Sequence, residues 1–141
     1  MRSTPAPTVS QIACPGLVEL IESGREQSRE AGALVATFCA QLLALDPLVD
    51  TVLLGCTHYP LVENLFQKHL GDRRAVSQGT IVADKLVDYL SRHSDVADRI
   101  DRTGSRRYLT TKSDETLSSL ASRFYGETVR FETISLNPAV S

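Results

Sequence analysis

Short strand-like runs alternate with amphipathic helical segments along most of this chain. Residues 51–54 form a continuous apolar run without polar alternation, which is typical of a strand buried on both faces of a parallel sheet. A helical pattern follows at 61–70. Two more such units follow, with strands predicted at 75–76, 107–111 and 129–136, a turn at 78–79, and helices at 81–90 and around 117–124. The last of these helices has a predicted N-cap at Ser113 and a predicted stop at Gly126. Strands that alternate with helices predict an α/β layer architecture with a mostly parallel sheet.

The first 50 residues predict one further strand and two helices. Residues 1–7 carry two prolines and are predicted to be a disordered lead-in, and 8–13 have a β-like pattern. A short helix is predicted from Leu17, and Ser23-Gly24 ends it. Apolar residues at spacings of three and four predict a long helix over 26–45, which ends at Asp46 because a residue before proline avoids the α region.

Composition excludes several classes of protein. Hydrophobic residues make up 42% of the 141 residues and charged residues 23%, which indicates a folded globular protein. The net charge of −2 argues against nucleic acid as the main partner. No apolar run approaches the ~20 residues that span a bilayer, and the N-terminus lacks the apolar core of a signal peptide. Three cysteines do not suggest a disulfide framework, so a reducing cytoplasm is the expected location.

The candidate site is the segment 55–60, directly after the apolar run and before a helix. It supplies a thiol from Cys56, a hydroxyl from Thr57 and an imidazole from His58. In open α/β sheets ligands bind beyond the carboxyl ends of the strands. The helix N-terminus and the imidazole would favour the thiolate of Cys56, which could act as a nucleophile or as a base.

Each of these residues also has an interpretation without catalysis. Cys56 could be a small packing residue, and His58 could hydrogen-bond the turn. Cys56 and His58 could instead be part of a zinc site, but Cys14 and Cys39 stand alone and no second ligand pair exists, so no metal is predicted. Glu22, at the end of the short helix, is locally a solvated carboxylate.

Several segments resemble the glutamate racemase family, of the aspartate/glutamate racemase superfamily. The resemblance is collinear from about residue 9 to residue 136 and is most specific at the second-cysteine signature. The matching residues are Leu54-Gly55-Cys56-Thr57-His58-Tyr59-Pro60-Leu61, Ala13-Cys14-Pro15 with Val18, Leu20, Glu22 and Gly24, and the segments 76–83 and 120–126.

The resemblance implies cofactor-independent interconversion of L- and D-glutamate, which supplies D-glutamate for peptidoglycan. Family members use two cysteines on opposite faces of the substrate, one removing the α-proton and the other returning a proton. By position, Cys56, His58 and Glu22 match catalytic residues, and Thr57 and His58 match positions that contact the substrate. The implied fold consists of parallel-sheet, three-layer α/β lobes of the racemase type.

The chain departs from the family in length. Family members are about twice as long, and their first half carries an Asp-Ser loop and a Cys-Asn-Thr segment with the first catalytic cysteine; neither occurs here. Residues 8–76 then correspond to part of the second lobe, and 77–141 to the return portion of the first. An incomplete lobe leaves sheet edges unpaired and apolar helix faces uncovered.

We therefore expect a C-terminal fragment that is prone to association and inactive alone, with a homodimer or the missing N-terminal half as possible partners besides glutamate. Two alternatives remain open. They are another amino-acid racemase, such as aspartate racemase, and a truncated relative without enzymatic activity.

Overall fold

The computed structural model describes residues 6–112 and 115–136. The predicted lead-in at 1–7 and the predicted helix cap at Ser113 lie wholly or largely outside these residues. Six helices and four strands are described, with a 3-10 helix at Tyr59–Val62. In chain order they are α1 (Leu17–Glu22), α2 (Arg29–Leu45), β1 (Thr51–Leu54), α3 (Glu63–Leu70), β2 (Arg74–Ser77), α4 (Gln78–Arg92), α5 (Ser94–Ala97), β3 (Tyr108–Thr110), α6 (Glu115–Tyr125) and β4 (Phe131–Thr133).

The chain divides into two compact units, one up to Lys85 and one from Leu86 onward. Within its described residues, the first unit has one buried cluster, built from the inward faces of α1, α2 and α3, from β1 and from the 3-10 helix. Its members are Leu17, Leu20, Ile21, Ala31, Val35, Phe38, Cys39, Leu54, Val62, Phe66 and Leu70. The apolar spacing predicted for the long helix therefore faces this cluster, as a 3.6-residue period requires.

Local sequence signals set the ends of the first helices. Gly24 takes a φ of 76°, in the left-handed region, and stops the chain from continuing α1. The hydroxyl of Ser28 accepts a hydrogen bond from the amide of Ala31 at 3.1 Å, so α2 begins three residues later than the pattern predicts. The helix ends at Leu45, because Asp46 before proline is extended.

The described strands form two parallel pairs. β1 pairs with β2 in a register that sets Leu54 beside Ser77, and β3 pairs with β4. Each pair is joined through a helix, as parallel strands require. The prediction of an incomplete α/β fold with parallel strands is confirmed, with each described sheet having only two strands.

Three local predictions are wrong. Residues 8–13 form no strand, because a strand needs a hydrogen-bonded neighbour and the described sheet ends at β1. β1 is not buried on both faces as predicted, since Leu53 is 59% exposed while Leu54 is buried. The turn at 78–79 is instead the first turn of α4, which begins directly after β2.

The second unit contains the β3–α6–β4 unit. Gly126, with a φ of 78°, ends α6 as predicted. Val129 is buried, and the ring of Tyr108 meets that of Tyr125 edge-on at 5.7 Å between centroids. This unit is thus a small βαβ motif with its own apolar contacts.

The long helix α4 has no buried residue. Its apolar side chains Ile81, Val82, Leu86 and Val87 are between 46% and 69% exposed. An amphipathic helix is normally stabilised by packing its apolar face, so this exposed face agrees with a lobe that lacks part of its layers.

Candidate functional site

The loop after β1 presents its side chains at the carboxyl end of the strand. The amide of Tyr59 donates to the carbonyl of Cys56 at 3.2 Å, and the amide of Leu61 donates to the carbonyl of His58 at 3.2 Å. Pro60 lies in the first turn of the 3-10 helix, where its fixed φ is favourable and its missing N–H costs little. These contacts give the loop a fixed path from Cys56 into α3.

Cys56, His58 and Glu22 form a continuous chain of side-chain contacts. The Sγ of Cys56 lies 3.7 Å from Nδ1 of His58. The opposite ring nitrogen, Nε2, lies 3.2 Å from Oε1 of Glu22. A carboxylate only accepts hydrogen bonds, so Nε2 carries a hydrogen and Nδ1 is left facing the thiol. The imidazole can therefore hold the proton that Cys56 gives up, while Glu22 orients the ring.

Exposure at this chain of contacts suits chemistry on a bound molecule. Cys56 is half-buried, and the side chains of His58 and Glu22 are 23% and 53% exposed. Thr57 is exposed on the loop between them. All four residues that the sequence singles out thus lie in the first unit, and three of them form the chain of contacts through His58.

The other two cysteines have different surroundings. Burial in α2 raises the pKa of the Cys39 thiol from 9.0 to about 11. Burial also raises the pKa of Cys14. A hydrogen bond with Tyr59 lowers this pKa in part, and the nearby Cys56 raises it by a smaller amount, so the net change is upward. Both thiols therefore remain protonated at neutral pH.

Tyr59 is a neighbour of the site that sequence reasoning left without a role. Burial, together with the nearby Cys14, raises the pKa of its hydroxyl from 10.0 to about 12. Its ring packs at 5.8 Å from that of Phe66. The sequence places Tyr59 three residues after Cys56, but no spacing rule indicates a contact with Cys14.

Alkaline pH should destabilise the first unit through Cys39. Its pKa is near 9.0 when exposed and about 11 when folded. The resulting stability is fully present below pH 9 and is lost as the pH rises toward 11. We expect the thermal midpoint, followed by circular dichroism, to fall across this range, and to fall less in Cys39→Ala. An identical decline in both proteins would contradict this assignment.

Other features of the described residues supply no second site of this kind. Within residues 6–112 and 115–136, no three His, Cys, Asp or Glu side chains cluster closely enough to hold a metal ion. An open apolar depression in the second unit is lined by Tyr108, Leu117, Leu120, Ala121, Phe124, Tyr125 and Val129. Its lining contains none of the predicted site residues. Among all the residues that the structure describes, no helix is long and apolar enough to cross a membrane.

Curated relatives share the whole span from the site to the second unit. A glutamate racemase from Roseobacter denitrificans is 41% identical over 124 residues, which are 87% of this chain and 44% of that protein. One from Ruegeria pomeroyi is 42% identical over the same length. This chain is homologous to the C-terminal part of the glutamate racemases. It spans about 44% of the length of these relatives. No protein-family model matches it.

Solved structures of glutamate racemases have the same fold over a matching share of their length. A glutamate racemase isoform from Bacillus anthracis superimposes with a TM-score of 0.70 at 29% identity, over 87% of this chain and 45% of that one. The enzyme from Francisella tularensis, solved with D-glutamate, gives a TM-score of 0.69 at 20% identity and supports the fold alone. The family resemblance and the incomplete racemase fold are therefore confirmed.

Proposed function

We propose that this chain supplies one acid/base group of a glutamate racemase, the Cys56 thiol, together with the side chains that control its proton. The observation that carries the proposal is the contact chain from Cys56 through His58 to Glu22. Its thiol end lies at the carboxyl end of β1 and is half-buried. The relatives named as glutamate racemases support glutamate as the substrate.

The proposed reaction exchanges a proton at the α-carbon of glutamate without a cofactor. The Cys56 thiolate takes the α-proton from one face and becomes a thiol, or the thiol returns its proton to that face and becomes a thiolate. Before the thiolate takes the α-proton, His58 holds the proton that the thiol has given up. Thr57, exposed beside the thiol, is proposed to contact the substrate together with His58. A carbanion-like α-carbon needs donors around the substrate, and loop amides and hydroxyls can provide them.

Inversion needs a second acid/base group on the opposite face of the α-carbon. Burial raises the pKa of both Cys14 and Cys39, so neither thiol is suited to this role. The second group is therefore proposed to come from outside these 141 residues, from the counterpart of the part of the relatives that this chain does not cover. In this account the 141 residues alone do not racemise glutamate.

The finer features of the proposal follow from the family. D-glutamate is the proposed product for peptidoglycan synthesis, and the cytoplasm is the proposed location. The proposed partner is the complementary N-terminal part of a racemase, and the apolar face of α4 is one uncovered surface that such a partner could bury.

Complementation tests the proposal directly. The chain is mixed with the part of the Roseobacter relative that it does not cover, and D-glutamate formed from L-glutamate is measured by chiral chromatography. We expect product only in the mixture, and none from either part alone. A mixture that forms a complex on size-exclusion chromatography but makes no D-glutamate would overturn the proposal.

Glu22→Gln should lower the kcat of the complemented protein by about tenfold, because the neutral amide no longer stabilises a charged His58 ring. The matched control is Glu30→Gln, which removes an exposed carboxylate paired with Arg25 in the same unit. Equal losses in the two variants would rule out a role for Glu22 through His58.

A further inference from the structure

Two side chains from outside the Cys56 loop hold the segment where the loop enters α3. The side-chain amide of Gln27 donates to the carbonyl of Leu61 at 3.2 Å. The hydroxyl of Ser77 donates to the carboxylate of Glu63. Leu61 lies in the 3-10 helix and Glu63 is the first residue of α3, so the two contacts hold the exit of the loop on either side of Val62.

The Gln27 contact links the loop exit to the segment that carries Glu22. Glu22 is the last residue of α1, and Gln27 lies in the connection between α1 and α2. Glu22 contacts His58, and the amide of Leu61 donates to the carbonyl of His58 at 3.2 Å. A shift of the Leu61 carbonyl would therefore move His58 relative to both Glu22 and Cys56.

The Ser77 contact links the loop exit to the sheet. Ser77 is the last residue of β2 and is paired in register with Leu54, two residues before Cys56. Its bond to Glu63 is half-buried and fixes the first turn of α3 at the level where the loop begins. One turn further along α3, Gln67 accepts from the amide of Ala75 at 3.0 Å, which attaches the rest of the helix to β2.

We propose that Gln27 and Ser77 are positioning residues, which set the distance between the Cys56 thiol and the His58 ring by holding the loop exit. This inference rests on the proposed function, because the proton transfer assigned to Cys56 depends on that distance. The hydrogen bonds of the two side chains reach Leu61 and Glu63, so both act on the thiol and the ring through the loop exit.

The test measures the coupling of Cys56 to His58 in the 141-residue chain without glutamate. The rate at which iodoacetamide alkylates Cys56 is followed by peptide mass spectrometry from pH 6 to pH 9, in proteins with and without His58→Asn. Gln27→Glu keeps the shape of the side chain and removes the donor, whereas Gln27→Lys keeps a donor. Ser77→Ala removes the hydroxyl, and Ser77→Thr keeps it.

We expect Gln27→Glu and Ser77→Ala each to change the alkylation rate by about threefold, the size of one lost hydrogen bond. Neither should change it in the His58→Asn background, because the coupling is already absent there. Gln27→Lys and Ser77→Thr, which keep the donor and the hydroxyl, should have the same alkylation rate as the unsubstituted protein. Gln67→Glu, the same substitution one turn beyond the loop exit, is the control and should leave the rate unchanged.

Changes of equal size with and without His58→Asn would overturn the inference, because a general loosening of the fold would act in both backgrounds. Unchanged rates in Gln27→Glu and Ser77→Ala would also overturn it. The proposed function fails separately, when the complemented protein makes no D-glutamate while this coupling persists.

Discussion

Cys56→Ser lowers the kcat for racemisation by the complemented protein by a factor of about 10² to 10⁴, the range that a positioned acid or base contributes. Serine keeps the size of the side chain, but its hydroxyl is far less acidic than a thiol. It can neither take the α-proton as an anion nor return one at a useful rate. Formation of D-glutamate from L-glutamate, measured by chiral chromatography at matched concentrations of complex, gives the factor.

Cys14→Ser is the matched control for this prediction. It makes the same substitution at another half-buried thiol of the same unit, which is outside the contact chain of His58 and Glu22. We expect it to retain most of the activity. If Cys14→Ser loses as much activity as Cys56→Ser, the role given to Cys56 is wrong.

Leu70→Ala destabilises the first unit by about 2 to 5 kcal/mol, the range for truncating a buried leucine. Leu70 ends α3 and is 1% exposed within the buried cluster. The truncation leaves a cavity at the point where α3 turns into β2, and the small size of the unit leaves little stability in reserve. Urea unfolding followed by circular dichroism measures the loss as a shift of the midpoint at constant slope.

Leu48→Ala provides the control for this second prediction. It removes the same atoms from a leucine that is 92% exposed in the turn before β1. A change of no more than about 0.5 kcal/mol is expected, since surface substitutions away from special features are usually neutral. Similar losses at Leu70 and Leu48 would show that the buried cluster does not hold the unit together.

Local signals allowed most elements to be predicted from the sequence. The Asp46-Pro47 pair ended α2 where predicted, because its effect is steric and acts on the adjacent residue. Gly126 ended α6 for a similar local reason. The failures at 8–13 and at Leu53 have another cause. Pairing and burial of a strand depend on its neighbours, and β1 has only one described neighbour in its sheet.

The candidate site was predictable to a different extent at each residue. Cys56 and His58 follow from their place after an apolar run and before a helix. Glu22 was indicated as a site residue by the family resemblance alone, and its contact with His58 spans 36 residues. Gln27 gave no signal at all, because a side chain that donates to a distant backbone carbonyl leaves no sequence pattern.

Deuterium incorporation at the α-carbon of glutamate is the most direct test of Cys56 as one member of an acid/base pair. The complemented protein is incubated with each enantiomer in D₂O, and the α-hydrogen is followed by NMR. We predict that the newly formed enantiomer carries deuterium and that Cys56→Ser forms it from either substrate more slowly, by the same factor as its loss of kcat. Inversion with deuterium uptake that persists undiminished in Cys56→Ser would contradict the account.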